Sequence, residues 1–129
     1  MTERAGYIPG FVAEDVEWQS LRFGRAGEPL EIAVPVLSDT QMKELAARVR
    51  NAARRHLKTL SVARIADIID HAIARLLDRG DPYRQKAEAL LPVITGYDAE
   101  MIRLGLTGYL KTFRKPELNK FLAEDFANP

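Results

Sequence analysis

Ser61-Val62-Ala63-Arg64-Ile65-Ala66-Asp67-Ile68-Ile69-Asp70-His71-Ala72-Ile73-Ala74-Arg75-Leu76-Leu77 decides the class of fold. Val62, Ile65, Ala66, Ile69, Ala72, Ile73, Leu76 and Leu77 recur at steps of three and four, the period of a helix with one apolar face. Ile68 widens the stripe. Ser61 is placed to cap the helix start, and Gly80 to end the helix in a left-handed turn. This segment reads as the central core helix of a mainly α protein.

Downstream, Asp81-Pro82 is a second start signal, because Asp can cap and Pro fits the first turn. The third helix is expected to reach about Leu91, with Pro92 kinking or ending it. Thr95-Gly96-Tyr97-Asp98 reads as a turn. A fourth helix carries Met101, Ile102, Leu106, Tyr109, Leu110 and Phe113. Gly105 and Gly108 on adjacent turns each cost that helix about 1 kcal/mol relative to Ala, and close approach of another helix is the expected offset. Lys115-Pro116 opens a fifth helix to about Phe126.

Upstream, Ser38 and Gln41 form a capping-box pair. Met42, Leu45, Val49, Ala52, Ala53, His56 and Leu57 continue as an amphipathic first helix to about Leu57. Val16–Phe23 and Leu30–Val36 read as two strands. In the second, Leu30, Ile32, Val34 and Val36 alternate with Glu31, Ala33 and Pro35. Gly24–Pro29 is the hairpin loop, and Pro35 suggests an edge strand or an end of pairing. A lone hairpin is marginal in water, so this one needs a partner surface. Residues 1–15 read as an extended arm whose Tyr7, Ile8, Phe11 and Val12 are apolar enough to dock. The expected architecture is one module over 1–129: an arm (1–15), a β-hairpin (16–37), and a helical bundle (38–129) of about five helices around one core.

The chain has 129 residues, 47% hydrophobic and 29% charged, ordinary values for one globular domain. Nineteen Lys plus Arg against eighteen Asp plus Glu give a net charge of +1, which speaks against a dedicated nucleic-acid or anionic-membrane binder. The absence of cysteine excludes disulfides, zinc–thiolate and iron–sulfur sites and a thiol nucleophile in this chain. No apolar run approaches a membrane span. Met1–Gly10 lacks the pattern of a secretory signal, and a cytoplasmic location is expected.

Candidate chemistry is sparse. Lys43, Arg50, Arg54 and Lys58 share a face of the first helix, with Arg48 and Arg55 nearby. They could neutralise phosphates of a nucleic acid or of coenzyme A, although a solvated charged face is the ordinary reading. The aromatic interleaving of a single-strand binder is missing there. His56 lies on the apolar stripe and reads as a half-buried histidine without triad partners. His71 reads as an exposed polar-face residue. Asp67, Asp70 and Asp78, at spacings of three and eight, match no metal motif and read as helix-surface ion pairs. No glycine pattern forms a phosphate loop, and Ser20, Ser38 and Ser61 sit in no nucleophile elbow. No catalytic, cofactor-binding or metal-ligating residue is assigned.

The run Leu90-Leu91-Pro92-Val93-Ile94-Thr95-Gly96-Tyr97-Asp98-Ala99-Glu100-Met101-Ile102-Arg103-Leu104-Gly105-Leu106 resembles a segment of the LuxC-type acyl-CoA reductases. So do Val34-Pro35-Val36-Leu37, Leu60-Ser61-Val62-Ala63-Arg64-Ile65, Arg79-Gly80-Asp81-Pro82, Phe113-Arg114-Lys115-Pro116-Glu117-Leu118 and the stretch to Glu124-Asp125-Phe126. The likeness spans about Tyr7 to Pro129 and fits the N-terminal part of that family. It implies a parent enzyme of aldehyde-dehydrogenase-like fold that uses NADPH to reduce an acyl-CoA to an aldehyde through a cysteine thioester. The family's cysteine and nucleotide-binding region lie beyond what this sequence holds, so no functional residue carries over. The expected role is a supporting, assembly or substrate-entrance module. The expected partners are the rest of the reductase or a second copy, with acyl-CoA at an interface. The alternatives are a stand-alone helical interaction or dimerisation module, and a weak nucleic-acid binder through the basic first helix.

Overall fold

The computed structural model describes residues 2–24, 27 and 29–126. The chain is mainly α, with five helices and a small three-stranded sheet near the N-terminus. Strands β1 (Thr2–Arg4), β2 (Glu17–Phe23) and β3 (Leu30–Val36) precede helices α1 (Asp39–Arg55), α2 (Val62–Leu77), α3 (Pro82–Thr95), α4 (Ala99–Lys111) and α5 (Lys115–Asp125). Two compact units divide the chain, Met1–Thr59 and Leu60–Pro129.

In the N-terminal unit the expected hairpin forms, with β2 antiparallel to β3 from Glu17↔Val36 to Phe23↔Leu30. Of its expected loop, Gly24, Gly27 and Pro29 are described, and residues 25, 26 and 28 lie outside the described residues. The arm is not wholly unpaired. Its first residues form β1, parallel to β3 with Thr2↔Glu31 and Arg4↔Ala33, in the order β1-β3-β2. β3 is therefore the central strand and not an edge.

Pro35 marks the end of pairing with β1. The Ala33 carbonyl accepts from the Ala5 N–H at 2.8 Å, so alternate residues of β3 turn their backbone groups toward β1. Pro35 is the next residue on that side, where an N–H would donate to the Ala5 carbonyl, so its missing N–H stops the ladder after Ala5. Leu30 and Ile32 are buried on one face of β3 and Ala33 on the other; together with Val16 they are the buried apolar residues of this unit.

The capping box of α1 forms as expected: Gln41 N–H donates to Ser38 Oγ at 3.2 Å, and Ser38 N–H to Gln41 Oε1 at 3.0 Å. Gln41 Nε2 also donates to the Asp15 carbonyl at 2.9 Å. The apolar stripe behaves differently from expectation, since Met42, Val49 and Leu57 are exposed. Polar contacts near its N-terminal half hold α1, and of its stripe Leu45 and Ala53 are half-buried.

In the C-terminal unit α2 touches α3, α4 and α5, the central position its periodicity predicts. Three local expectations are corrected. Gly80 does not adopt a left-handed conformation. The Asp78 carboxylate ends α2 instead, accepting the Gly80 N–H at 2.9 Å, a local bond that Asp makes readily. Pro92 does not end α3, which continues through Thr95. Only one intrahelical donor is lost, and Thr95 Oγ1 and the Gly96 N–H bond back to Leu91 and Pro92 carbonyls at 2.7 and 3.0 Å. Gly96, at φ 76°, supplies the left-handed stop. Finally, a Cβ built on Gly105 or Gly108 would meet nothing within 4 Å, so no described helix of the C-terminal unit approaches them closely.

Candidate functional site

The most buried side chain of the C-terminal unit is a charged one. Arg84 is 1% exposed. Asp81 caps α3, accepting the Tyr83 N–H at 2.9 Å, and this start turns Arg84 inward one turn later. Arg84 Nε donates to Glu88 Oε1 at 2.8 Å, and Nη1 to the Leu76 carbonyl at 3.2 Å. Nη2 donates to the Arg103 carbonyl at 3.0 Å and to Thr107 Oγ1 at 2.8 Å. One guanidinium thus ties the end of α2 to the middle of α4 from within α3. Its planar fork suits several acceptors at once.

Arg75 Nε and Nη2 reach Asp81 Oδ2 at 3.1 and 3.0 Å. Burial pushes the Asp81 carboxyl up, but the bonds from Tyr83 N–H and Arg75 outweigh it, leaving it below the usual carboxylate range. Among the described residues every buried side-chain nitrogen and oxygen has a partner. A saturated cluster of this kind binds helices together and leaves no group for a ligand.

The aspartates of α2 have different partners from those expected. Asp70 accepts from Arg114 Nε at 2.6 Å and Nη2 at 3.2 Å, and from Lys115 N–H at 2.7 Å. Asp67 pairs with Lys115 Nζ. These are bonds across more than forty residues and not pairs within one helix. Asp70 also supplies the cap that α5 lacks, since Arg114 at its N-cap position makes none. The Arg114 side chain first, then the Lys115 N–H, hold the Asp70 carboxyl below its ordinary range.

His56 is exposed at the end of α1, which corrects the half-buried reading; its N–H is spent on the Ala52 carbonyl at 2.9 Å. His71 is exposed. Lys43, Arg50, Arg54 and Lys58 are all exposed, with no aromatic residue among α1 positions 39–55. Among the described residues no three His, Cys, Asp or Glu side chains gather as metal ligands, and no helix is long and apolar enough to cross a membrane.

The structure does build one concave site, in the N-terminal unit, that sequence reading missed. The segment after β1 folds back so that Tyr7, Ile8, Phe11 and Val16 face Trp18 of β2 around a cleft of about 190 Å³. Trp18 Nε1 donates to the Ala13 carbonyl at 2.8 Å, which fixes the indole. Arg4 lines the same cleft and lies over that indole, 5.2 Å from the ring centroid, a cation–π distance. Arg48 of α1 lies over Phe11 at 5.0 Å and also bonds Gly10 and Glu44. Gly10, at φ 80°, lies in the left-handed region that favours glycine, and a Cβ there would have to displace the end of the Arg48 side chain. The available sequence signal was the apolar cluster Tyr7, Ile8, Phe11 and Val12. It reads as a docking arm, but nothing local says that it docks beside Trp18.

No protein-family model matches the sequence, and no curated protein or solved structure shows significant similarity to it.

Proposed function

We propose that this chain is the N-terminal helical module of an acyl-CoA reductase, with a supporting, assembly or entrance role and no catalysis of its own. The parent reaction would be NADPH-dependent reduction of an acyl-CoA to an aldehyde. The observation that carries the reading is the Leu90–Leu106 run that resembles the LuxC-type reductases, taken with where its apolar side chains lie. Folding of the C-terminal unit makes little use of several of them: Tyr97 is 60% exposed, Leu104 57%, and Val93 and Met101 are exposed as well. Adjacent exposed apolar residues mark interaction surfaces. A family-like stretch that faces outward fits a surface that seats the catalytic remainder of such an enzyme.

The test mixes this chain with the cysteine-bearing remainder of a LuxC-type reductase and measures association by calorimetry. Binding that drops at least tenfold in Tyr97→Asp and Leu104→Asp supports the reading. Absence of association, together with absence of acyl-CoA binding, overturns it.

A second reading, a stand-alone dimerisation module, is favoured by the open space over Gly105 and Gly108 beside exposed Leu104 and Tyr109. Small residues flanked by large ones suit close helix contact. A monomer at all concentrations in sedimentation would remove it.

A further inference from the structure

We propose that the Trp18 cleft binds a small monocarboxylate with a short apolar tail, held by Arg4. This inference is independent of the reductase reading, since it uses only the N-terminal unit. The cleft has apolar walls from Tyr7, Ile8, Phe11 and Val16, and Arg4 is the charged residue that lines it. Arg48, the other arginine stacked on a ring of this unit, is paired with Glu44. Arg4 makes no ion pair with a carboxylate among the described residues. Its guanidinium carbon sits over the indole. A cation–π contact uses the charge and not the N–H donors, and a guanidinium has five of these, enough to hold a carboxylate bidentately. The bond from Trp18 to the Ala13 carbonyl holds the platform still, so Arg4 is oriented before a ligand arrives.

Size and charge select the ligand. The cleft volume of about 190 Å³ is below the range of about 300–1,000 Å³ usual for drug-sized ligands. That fits a carboxylate with a short apolar tail. A phosphate carries nearly two charges, more than one guanidinium matches, and the apolar walls would desolvate the excess.

Trp18 is the single tryptophan of the chain, so its fluorescence reports on the cleft directly. The experiment titrates the full chain with hexanoate and follows that emission, with hexanamide, inorganic phosphate and a short peptide ending in a free Leu carboxylate as parallel arms. The expected result is a saturable change with hexanoate, at least tenfold weaker or absent with hexanamide and phosphate. Arg4→Gln should raise the hexanoate Kd at least tenfold, and Arg4→Lys by a smaller factor because an ammonium cannot grip bidentately. Arg4 is exposed, so both variants should keep the circular dichroism of the parent. No saturable response to hexanoate, equal responses to hexanoate and hexanamide, an unchanged Kd in Arg4→Gln, or a response to the peptide alone would each overturn the proposal.

Discussion

The two units are held by opposite means. In the N-terminal unit the buried residues are apolar: Val16, Leu30, Ile32 and Ala33. In the C-terminal unit the only buried hydrophobic residue among those described is Ala66; the deepest residue is Arg84, and Asp81 is buried as well. A sheet shares its backbone bonds between strands, so its centre needs only side-chain burial. Helices satisfy their backbones internally and must be joined by side chains alone. Here a guanidinium does much of that joining by reaching carbonyls on two neighbouring helices. The lesson is one of fragility: apolar burial is lost by degrees, whereas a buried charge network fails when one member is removed.

The strongest way to break this contrast is Arg84→Met. It takes one of two cations from Glu88, which keeps Arg79 at 3.7 Å, and removes donors from the Leu76 and Arg103 carbonyls. The expected loss is about 2–4 kcal/mol, from buried acceptors that lose a charged donor, read by urea denaturation with far-ultraviolet circular dichroism. A loss below about 1 kcal/mol would mean that the guanidinium is replaceable packing.

Ile32→Ala is the matching test for the apolar unit. It should cost about 2–3 kcal/mol, the lower part of the range for such truncations, because a three-stranded sheet can partly collapse into the space. Trp18 fluorescence through the same denaturation gives the value.

A smaller effect of opposite sign is expected at Gly105 and Gly108. Nothing crowds either position, so Gly105→Ala and Gly108→Ala should each stabilise α4 by up to about 1 kcal/mol. A fall in stability that depends on protein concentration would instead reveal a contact between copies.

The smallest expected effect sharpens the role of charge. The Asp70 carboxyl is depressed in the folded chain by Arg114 and the Lys115 N–H. A depressed carboxylate contributes stability above its unfolded value, about 3.9, and that contribution disappears as pH falls through the folded value. Thermal melts of the parent should therefore lose midpoint temperature on acidification below about pH 4 more steeply than those of Asp70→Asn. Arg114 is partly exposed, and solvent screening keeps the difference small.

Much of the fold was legible because it is local. Ser38 with Gln41, Ser61, and Asp81 with Pro82 signal helix starts, and the starts occur there. The hairpin strands follow from alternation and a Gly/Pro loop. Pro92 and Gly80 misled because each residue type has two uses. Pro can sit within a helix when later bonds compensate, and Gly can follow an Asp that does the capping. The Trp18 cleft was not legible: Arg4 and Trp18 lie on strands that flank β3, and no spacing rule links a parallel strand to an antiparallel one.

The sequence by itself determined the mainly α class, the number of helices, the hairpin and most helix starts, because those depend on bonds between residues two to four apart. Only the tertiary structure decided that residues 2–4 close the sheet, that Asp70 caps α5 and that Arg84 joins three helices. Those partners stand 8 to 45 residues apart. Any of several arginines and aspartates could have made such bonds, and packing chose among them.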